Sequence, residues 1–210
     1  KLKMAYQNPK MALVIPMSSF RSTLKKVFKN IKGLNASMVV GPAEVANGKY
    51  DILIVDESHR LRKRINLGAY YGAFDKASEK LGLDKLTCSE LDWIIKQGKK
   101  RIFFYDKNQS IKPSDVNQSD FTALKSDKGT TIKKLKSQFR VRGGNDYVSY
   151  VDQLLSCKFK KNDHIFETRQ YEFVLFNSLE NMIQEIKNKK AEYGLSRLVA
   201  GYSWEWVSKN

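Results

Sequence analysis

The stretch Tyr50-Asp-Ile-Leu-Ile-Val-Asp-Glu-Ser-His59 decides how the chain folds around it. Residues 52–55 are consecutive branched apolar residues, which is typical of a strand buried on both faces of a sheet. Asp56 and Glu57 follow at once, so the pattern places two carboxylates at the carboxyl end of that strand. In open α/β sheets, this end is where ligands bind.

The two acids suit phosphate chemistry. An acid at such a strand end can hold Mg²⁺, directly or through water, and the next acid can deprotonate a water that attacks a γ-phosphate. This chemistry gives the metal to Asp56 and the base to Glu57. The alternative is a buried strand that ends in a polar turn, because Asp and Ser are common helix caps. His59 is either a relay of the nucleotide state or a hydrogen-bonded structural residue.

Short apolar runs alternate with helical patterns around this stretch. The alternation predicts an α/β fold, a parallel sheet flanked by helices. Strands are predicted at residues 12–15, 38–40, 52–55 and 101–105; helices are predicted at residues 19–31, at residues 67–81, and from a capping box at residues 87–90 to Gly98.

A second unit is expected after the polar, turn-rich residues 106–128. We place the boundary near residue 130, which gives domains 1–130 and 131–210. In the second domain, strands are predicted at residues 131–136, 171–176 and 197–200, and helices are predicted around residues 148–155 and after a cap at Ser178.

Two more polar sites follow predicted strands. Arg101-Ile-Phe-Phe-Tyr-Asp-Lys-Asn-Gln109 brings Asp106 and Gln109 to the same sheet edge if the strands are parallel. The Gln109 amide can then reach a γ-phosphate or the attacking water; an ordinary strand-to-loop turn is the alternative. Arg140, directly after a predicted strand, can reach phosphate across a cleft, or it is one more surface charge.

Composition narrows the function classes. The 210 residues include 38 Lys and Arg against 22 Asp and Glu, a net charge of +16, which suits a polyanionic partner such as nucleic acid; solvated Lys-rich surfaces are the alternative. Cys88 and Cys157 have no paired or metal-ligand spacing and are expected to be buried free thiols. No apolar run approaches the roughly 20 residues of a membrane span, and no targeting peptide is evident, so a cytoplasmic protein is expected.

Five stretches, in this order, resemble successive motifs of superfamily 1 helicases. More closely, the chain resembles, over nearly its whole length, the bacterial uncharacterised ATPases grouped with the Schlafen group 3 DNA/RNA helicase domain. The stretches are Leu13-Val-Ile-Pro-Met-Ser-Ser-Phe-Arg21, Ile54-Val-Asp-Glu-Ser-His-Arg-Leu61, Phe104-Tyr-Asp-Lys-Asn-Gln109, Leu135-Lys-Ser-Gln-Phe-Arg140 and Leu198-Val-Ala-Gly-Tyr-Ser-Trp-Glu-Trp206.

This resemblance implies a RecA-like P-loop NTPase that hydrolyses ATP with Mg²⁺, here an incomplete first domain and part of a second. Asp56 of the Walker B motif would hold magnesium, and Glu57 would be the catalytic base. Gln109 would sense the γ-phosphate, with Asp106 beside it at the nucleotide, and Arg140 would be an arginine finger.

The same resemblance implies a track for single-stranded DNA or RNA. Pro16, Ser18, Ser19 and Arg21 match the motif that grips a single-strand backbone, although Ser18 and Ser19 also suit a helix cap. Three aromatic residues near the end of the chain alternate in a way that suits either base stacking or burial: Tyr202, Trp204 and Trp206.

The 210 residues depart from the family pattern in two respects: they contain no GxxxxGK[ST] phosphate-binding loop, and they lack the last motifs of such a motor. We therefore expect a fragment of an ATPase that is inactive on its own. Two other functions stay open. One is a non-catalytic basic module that binds nucleic acid, and the other is a metal-dependent nuclease, which needs three or more convergent carboxylates or His residues.

Overall fold

The computed structural model describes residues 9–135, 141–158 and 173–199. The chain divides into two compact units, Lys1–Ile132 and Lys133–Asn210. This division lies near the boundary expected at residue 130. The identity of the two units as RecA-like domains stays a prediction.

The first unit is built on a parallel sheet, as the sequence predicts. Four strands of the described residues pair in the order β2-β1-β3-β4, and every pair is parallel. Val55 pairs with Val14 on one side and with Phe103 on the other, so three strands end level with one another. The strands are β1 (Met11–Val14), β2 (Val39–Val40), β3 (Tyr50–Val55) and β4 (Gly98–Phe103).

Helices connect the strands of this sheet. The crossover from β1 to β2 and the crossover from β3 to β4 run toward opposite edges, so right-handed connections place their helices on opposite faces. This parallel sheet with flanking helices is consistent with a RecA-like fold. The helices of the first unit are α1 (Ser18–Lys29), α2 (Tyr71–Lys80), α3 (Glu90–Gln97) and α4 (Thr122–Ser126).

One face of the sheet carries the main core. Its inward residues alternate along β1 and β3 and pack against apolar residues of α3 and of the loops around it. Each fully buried aliphatic side chain of this kind stabilises the fold by about 1.5–3 kcal/mol. The buried members are Ala12, Val14, Val40, Val45, Leu53, Val55, Leu61, Leu91, Ile94, Val116 and Phe121.

The opposite face is progressively uncovered toward β4. Leu13 and Ile54 are half-buried, whereas Ile102 and Phe104 are 42% and 46% exposed. Parallel sheets are normally covered on both faces. Within the described residues, the layer on this side is therefore incomplete near β4.

A second apolar cluster joins α2 to α3. The rings of Phe74 and Trp93 pack with their centroids 4.7 Å apart. The Trp93 indole N–H and the Cys88 thiol both donate to the Ser78 hydroxyl, which itself donates to the Phe74 carbonyl. The polar atoms inside this cluster therefore have partners. Cys88 is buried as expected, but the same expectation is wrong for Cys157, which is exposed.

The predicted capping box at residues 87–90 is wrong. The N-cap of α3 is Ser89, and its partner is Asp92, whose carboxylate accepts from the Ser89 backbone N–H at 2.7 Å. Thr87 instead donates to Asp84, and Glu90 turns into the protein. The sequence pattern fits both frames, because Ser and Thr are both good caps.

The described part of the second unit contains two helices, joined to non-helical segments. The helices expected there are confirmed as α5 (Gly144–Leu155) and α6 (Leu179–Tyr193), and Ser178 caps α6 by accepting from the Asn181 N–H at 3.2 Å. The strands predicted at 131–136, 171–176 and 197–200 are wrong for the described residues 131–135, 173–176 and 197–199, which are not strands. A short apolar run becomes a strand only where a partner strand pairs with it.

Candidate functional site

The carboxyl end of β3 leads into a sharp acidic turn, residues 56–59. The Asp56 N–H still donates to the Val14 carbonyl at 3.2 Å, which extends the pairing with β1 by one residue. Glu57 then adopts a left-handed backbone, with φ 50° and ψ 43°. Its N–H donates to Asp56 Oδ1 at 3.0 Å. Such a conformation costs about 1–3 kcal/mol and persists only where surrounding contacts enforce it.

Ser58 supplies part of that enforcement. Its backbone N–H and its hydroxyl both donate to the Phe104 carbonyl, at 2.8 and 2.7 Å. Ser58 is completely buried. The acidic turn is therefore fastened to the residue that directly follows β4.

His59 connects the acidic turn to the polar loop after β4. Its ring is 2% exposed, and Nδ1 accepts from the Asp106 backbone N–H at 3.4 Å. A neutral ring that accepts at Nδ1 carries its proton at Nε2. Nε2 lies 3.0 Å from Glu57 Oε2, which is ion-pair distance, although the direction is not that of a hydrogen bond. The imidazole thus lies between the acidic turn and the loop that follows β4.

Asp106 organises the loop after β4. Its Oδ1 accepts from the Asn108 N–H at 3.0 Å, and its Oδ2 accepts from the Gln109 side-chain amide at 2.9 Å. The Gln109 hydrogen bond is the main reason that the pKa of Asp106 is lowered, and the Asn108 bond adds to it. Asp106 is therefore a carboxylate at neutral pH. Gln109 is exposed, and its amide group is engaged within its own loop.

The sheet thus brings four of the singled-out residues to one edge: Asp56, Glu57, His59 and Asp106. The parallel register explains this, because β3 and β4 end at the same level. Gln109 is linked to this edge by the hydrogen bond that its side-chain amide donates to Asp106. Arg140 lies outside the described residues, as do Tyr202, Trp204 and Trp206. The roles given to all these residues stay predictions.

The predicted nucleic-acid segment follows β1 at the same edge. Ser18 and Ser19 are exposed in the first turn of α1, and the N-cap, Met17, makes no side-chain cap. Exposed amides and hydroxyls at a helix start suit phosphate contacts. Arg21 has a structural contact instead: its Nη1 donates to the Ile15 carbonyl at 3.3 Å. Its guanidinium also fills the space that a side chain at Gly41 would need.

Three basic residues that follow the acidic turn, Arg60, Lys63 and Arg64, are used in ion pairs. Arg60 lies 3.8 Å from Asp115, and Lys63 lies 2.8 Å from Asp120. Arg64 donates two hydrogen bonds to Asp75, at 2.7 and 2.9 Å. This part of the positive charge therefore fastens loops and helices to one another.

Glu90 is the residue that sequence reasoning missed. The sequence pattern predicts that it closes a capping box, yet it is 2% exposed and bonds to Arg62 and Tyr70. The only signal was an acid in the first turn of α3. That signal is shared by Asp92, which is the capping acid.

The geometry limits which metal can be held. Within the described residues, no group of three or more His, Cys, Asp or Glu residues is arranged to hold a metal ion. A nuclease centre built from protein ligands alone has no support there. A single carboxylate such as Asp56 fits Mg²⁺ that arrives with nucleotide phosphates, because that ion keeps most of its waters and phosphate oxygens as ligands.

The described helices include none that is long and apolar enough to cross a membrane. No curated protein and no solved structure matches the chain. A family model, described as "Schlafen group 3, DNA/RNA helicase domain", matches residues 3–210, which is nearly the whole sequence. Together with the parallel sheet and its acidic edge, this match shows that the chain belongs to the Schlafen group 3 DNA/RNA helicase domain family.

Proposed function

We propose that this chain is part of an ATP-dependent motor whose ATP hydrolysis is coupled to binding of single-stranded DNA or RNA. The observation that carries the proposal is the carboxyl edge of the sheet, where Asp56 and Glu57 follow β3 and His59 connects them to the loop after β4. The order of motifs further favours a superfamily 1 helicase close to the bacterial Schlafen-type ATPases.

In this proposal, each residue has one task. Asp56 holds the magnesium ion that accompanies ATP, and this ion neutralises phosphate charge. Glu57 orients and deprotonates the attacking water. Gln109 contacts the γ-phosphate beside Asp106, and Arg140 supplies a guanidinium to the transferring group. The phosphate-binding loop is not among the 210 residues, so the chain alone holds only part of the nucleotide site.

The nucleic-acid track is proposed along the start of α1. Ser18 and Ser19 offer exposed hydroxyls and helix-start amides, and Pro16 shapes the turn before them. The helix carries four basic residues and no acidic one. Arg21 acts here by holding the turn against the Ile15 carbonyl.

The test uses the full-length protein from its natural reading frame. ATP hydrolysis is measured with and without single-stranded DNA or RNA for the wild type and Glu57→Gln, which removes the base and nearly preserves its shape. We expect nucleic acid to stimulate hydrolysis in the wild type. Loss of a general base should lower kcat by roughly a hundredfold or more.

Glu79→Gln is the matched control, because Glu79 is an exposed acid that pairs with Lys85 at the end of α2. It should hydrolyse ATP like the wild type. A wild type without hydrolysis, or a Glu57→Gln variant that equals the control, would refute the motor.

A non-catalytic module that binds nucleic acid is the second candidate, favoured by the net charge of +16. It predicts nucleic-acid binding that weakens steeply with salt and is indifferent to ATP and to Glu57→Gln. Binding titrations at several salt concentrations, beside the hydrolysis assay, separate the two candidates.

A further inference from the structure

Glu90 is a buried acid that the proposed reaction does not use. It is the first residue of α3, and only 2% of it is exposed. The capping box of this helix consists of Ser89 and Asp92, so the cap does not need Glu90. Burying a carboxylate is costly unless it is hydrogen-bonded. Its partners therefore identify what it holds.

Both carboxylate oxygens of Glu90 accept hydrogen bonds. Oε2 accepts from the Arg62 backbone N–H at 2.9 Å, and Oε1 accepts from the Tyr70 hydroxyl at 2.7 Å. The Glu90 backbone N–H donates to the Arg62 carbonyl at 2.9 Å. Glu90 therefore engages both backbone polar groups of Arg62.

Arg62 lies in the short segment 61–63, which is hydrogen-bonded to other parts of the chain on both sides. On the side away from Glu90, the Leu61 carbonyl accepts from the Val116 N–H at 2.8 Å, and the Lys63 N–H donates to the Ser114 carbonyl at 2.7 Å. The acidic turn comes directly before this segment. The turn is thus held from within by Ser58, and the chain that leaves it is held three residues further on, at Arg62.

The charged and titratable groups around Glu90 come from three elements. Arg62 stacks on the Tyr70 ring at 5.0 Å, and the charges of Arg62 and of Arg21 from α1 favour the ionised carboxylate. Burial acts more strongly in the other direction and raises the pKa of Glu90 to about 7. The pKa of Tyr70 is also raised, by burial and then by Glu90, so Tyr70 stays a hydrogen-bond donor.

We propose that Glu90 is a positioning residue whose ionised carboxylate holds Arg62 and thereby keeps the acidic turn in the geometry that hydrolysis needs. An ionised carboxylate accepts from both donors. A protonated one keeps both contacts only if its O–H turns to the Tyr70 hydroxyl oxygen, which then no longer donates to Glu90; otherwise the Arg62 N–H loses its acceptor. The kinetic consequence rests on the proposed function, whereas the hydrogen bond is testable without any hydrolysis.

The hydrogen bond is tested in the 210-residue chain by NMR. The Arg62 amide proton should titrate with a midpoint near 7, the value at which burial places the pKa of Glu90. Glu90→Gln should abolish this titration. Asp92→Asn is the control, because it damages the cap of the same helix and should leave the titration in place.

Tyr70→Phe provides a second variant in case Glu90→Gln fails to fold. It removes a donor that favours the ionised carboxylate, so the Arg62 midpoint should move upward. An Arg62 amide that does not titrate in the wild type, or a midpoint unchanged by Tyr70→Phe, would overturn the proposal.

The kinetic role is tested in the full-length protein. We expect kcat to fall as pH drops below about 7 while KM for ATP stays constant, and Glu90→Gln to lower kcat and remove this pH dependence. Because misplacing a reacting group slows catalysis, we expect Glu90→Gln to lower kcat by roughly tenfold to a hundredfold. The control Asp92→Asn should keep the wild-type profile.

The outcomes separate the two proposals. If the protein hydrolyses ATP but its Arg62 amide does not titrate, only the role of Glu90 is overturned. The same holds if Glu90→Gln leaves the pH profile of kcat unchanged. No hydrolysis at any pH, together with a titrating Arg62 amide, overturns the proposed function and with it the positioning role.

Discussion

At the scale of single residues, Glu57 shows a conflict between conformation and chemistry. Its backbone is left-handed, a region where glycine is the default residue and other side chains are strained. The proposed reaction nevertheless needs an acid here. The contacts of Ser58 and His59, the two residues that follow Glu57, keep this strained turn in place.

This strain gives a prediction for two truncations of the same side chain. Glu57→Gly and Glu57→Ala both remove the carboxylate, but only glycine relieves the left-handed backbone. We expect the glycine variant to have the higher free energy of unfolding, by about 1 kcal/mol. Urea denaturation of the two variants measures the difference. An alanine variant as stable as the glycine variant would show that the turn is not left-handed.

At the scale of elements, the cap of α3 distinguishes the observed helix start from the one that sequence alone suggests. Ser89→Ala removes the observed N-cap and should lower the free energy of unfolding by about 1 kcal/mol. Thr87→Ala should change it little, because the Thr87 hydroxyl bonds only to Asp84 in an exposed turn. Thermal unfolding of both variants decides. A larger loss of stability for Thr87→Ala than for Ser89→Ala would instead support the capping box predicted at residues 87–90.

The elements also show how far sequence patterns reach. The strands of the first unit were predictable because their apolar runs alternate with helices and find parallel partners. β4 begins at Gly98, before the apolar run starts, since the exposed edge tolerates Lys99 and Lys100. Asp56 and Asp106 could be brought to one edge by the parallel register alone. The burial of Glu90 could not be predicted from the sequence, because it depends on Tyr70 and Arg62 folding back onto α3.

At the scale of the whole molecule, carboxyl groups whose pKa values are shifted in opposite directions shape the dependence of stability on pH. Hydrogen bonds from Arg64 and Gln109 lower the pKa values of Asp75 and Asp106, so these acids stabilise the fold above about 4, and that contribution is lost as pH falls. The pKa of Glu90 is raised from 4.5 to about 7. Its contribution is full below 4.5 and is lost as pH rises through 7.

The wild type should therefore be most stable in mildly acidic solution and lose stability between about pH 5 and pH 8. Glu90→Gln should flatten this decline, because glutamine does not titrate. Asp75 is only partly buried, so solvent screens its ion pair and its share is correspondingly small. Chemical denaturation at a series of pH values measures the curve. A wild type whose stability rises steadily from pH 5 to pH 8 would contradict the raised pKa of Glu90.

The uncovered sheet face has a practical consequence for anyone who purifies the chain. Within the described residues, Ile102 of β4 and Phe104 directly after it present apolar surface, and β4 is the edge strand of the described sheet, so its outer edge offers unpaired backbone groups. Such surfaces stick to one another in concentrated samples. Because apolar attraction weakens on cooling, the chain should keep best when cold and dilute, and warming a concentrated stock should turn it cloudy well before the sheet itself melts.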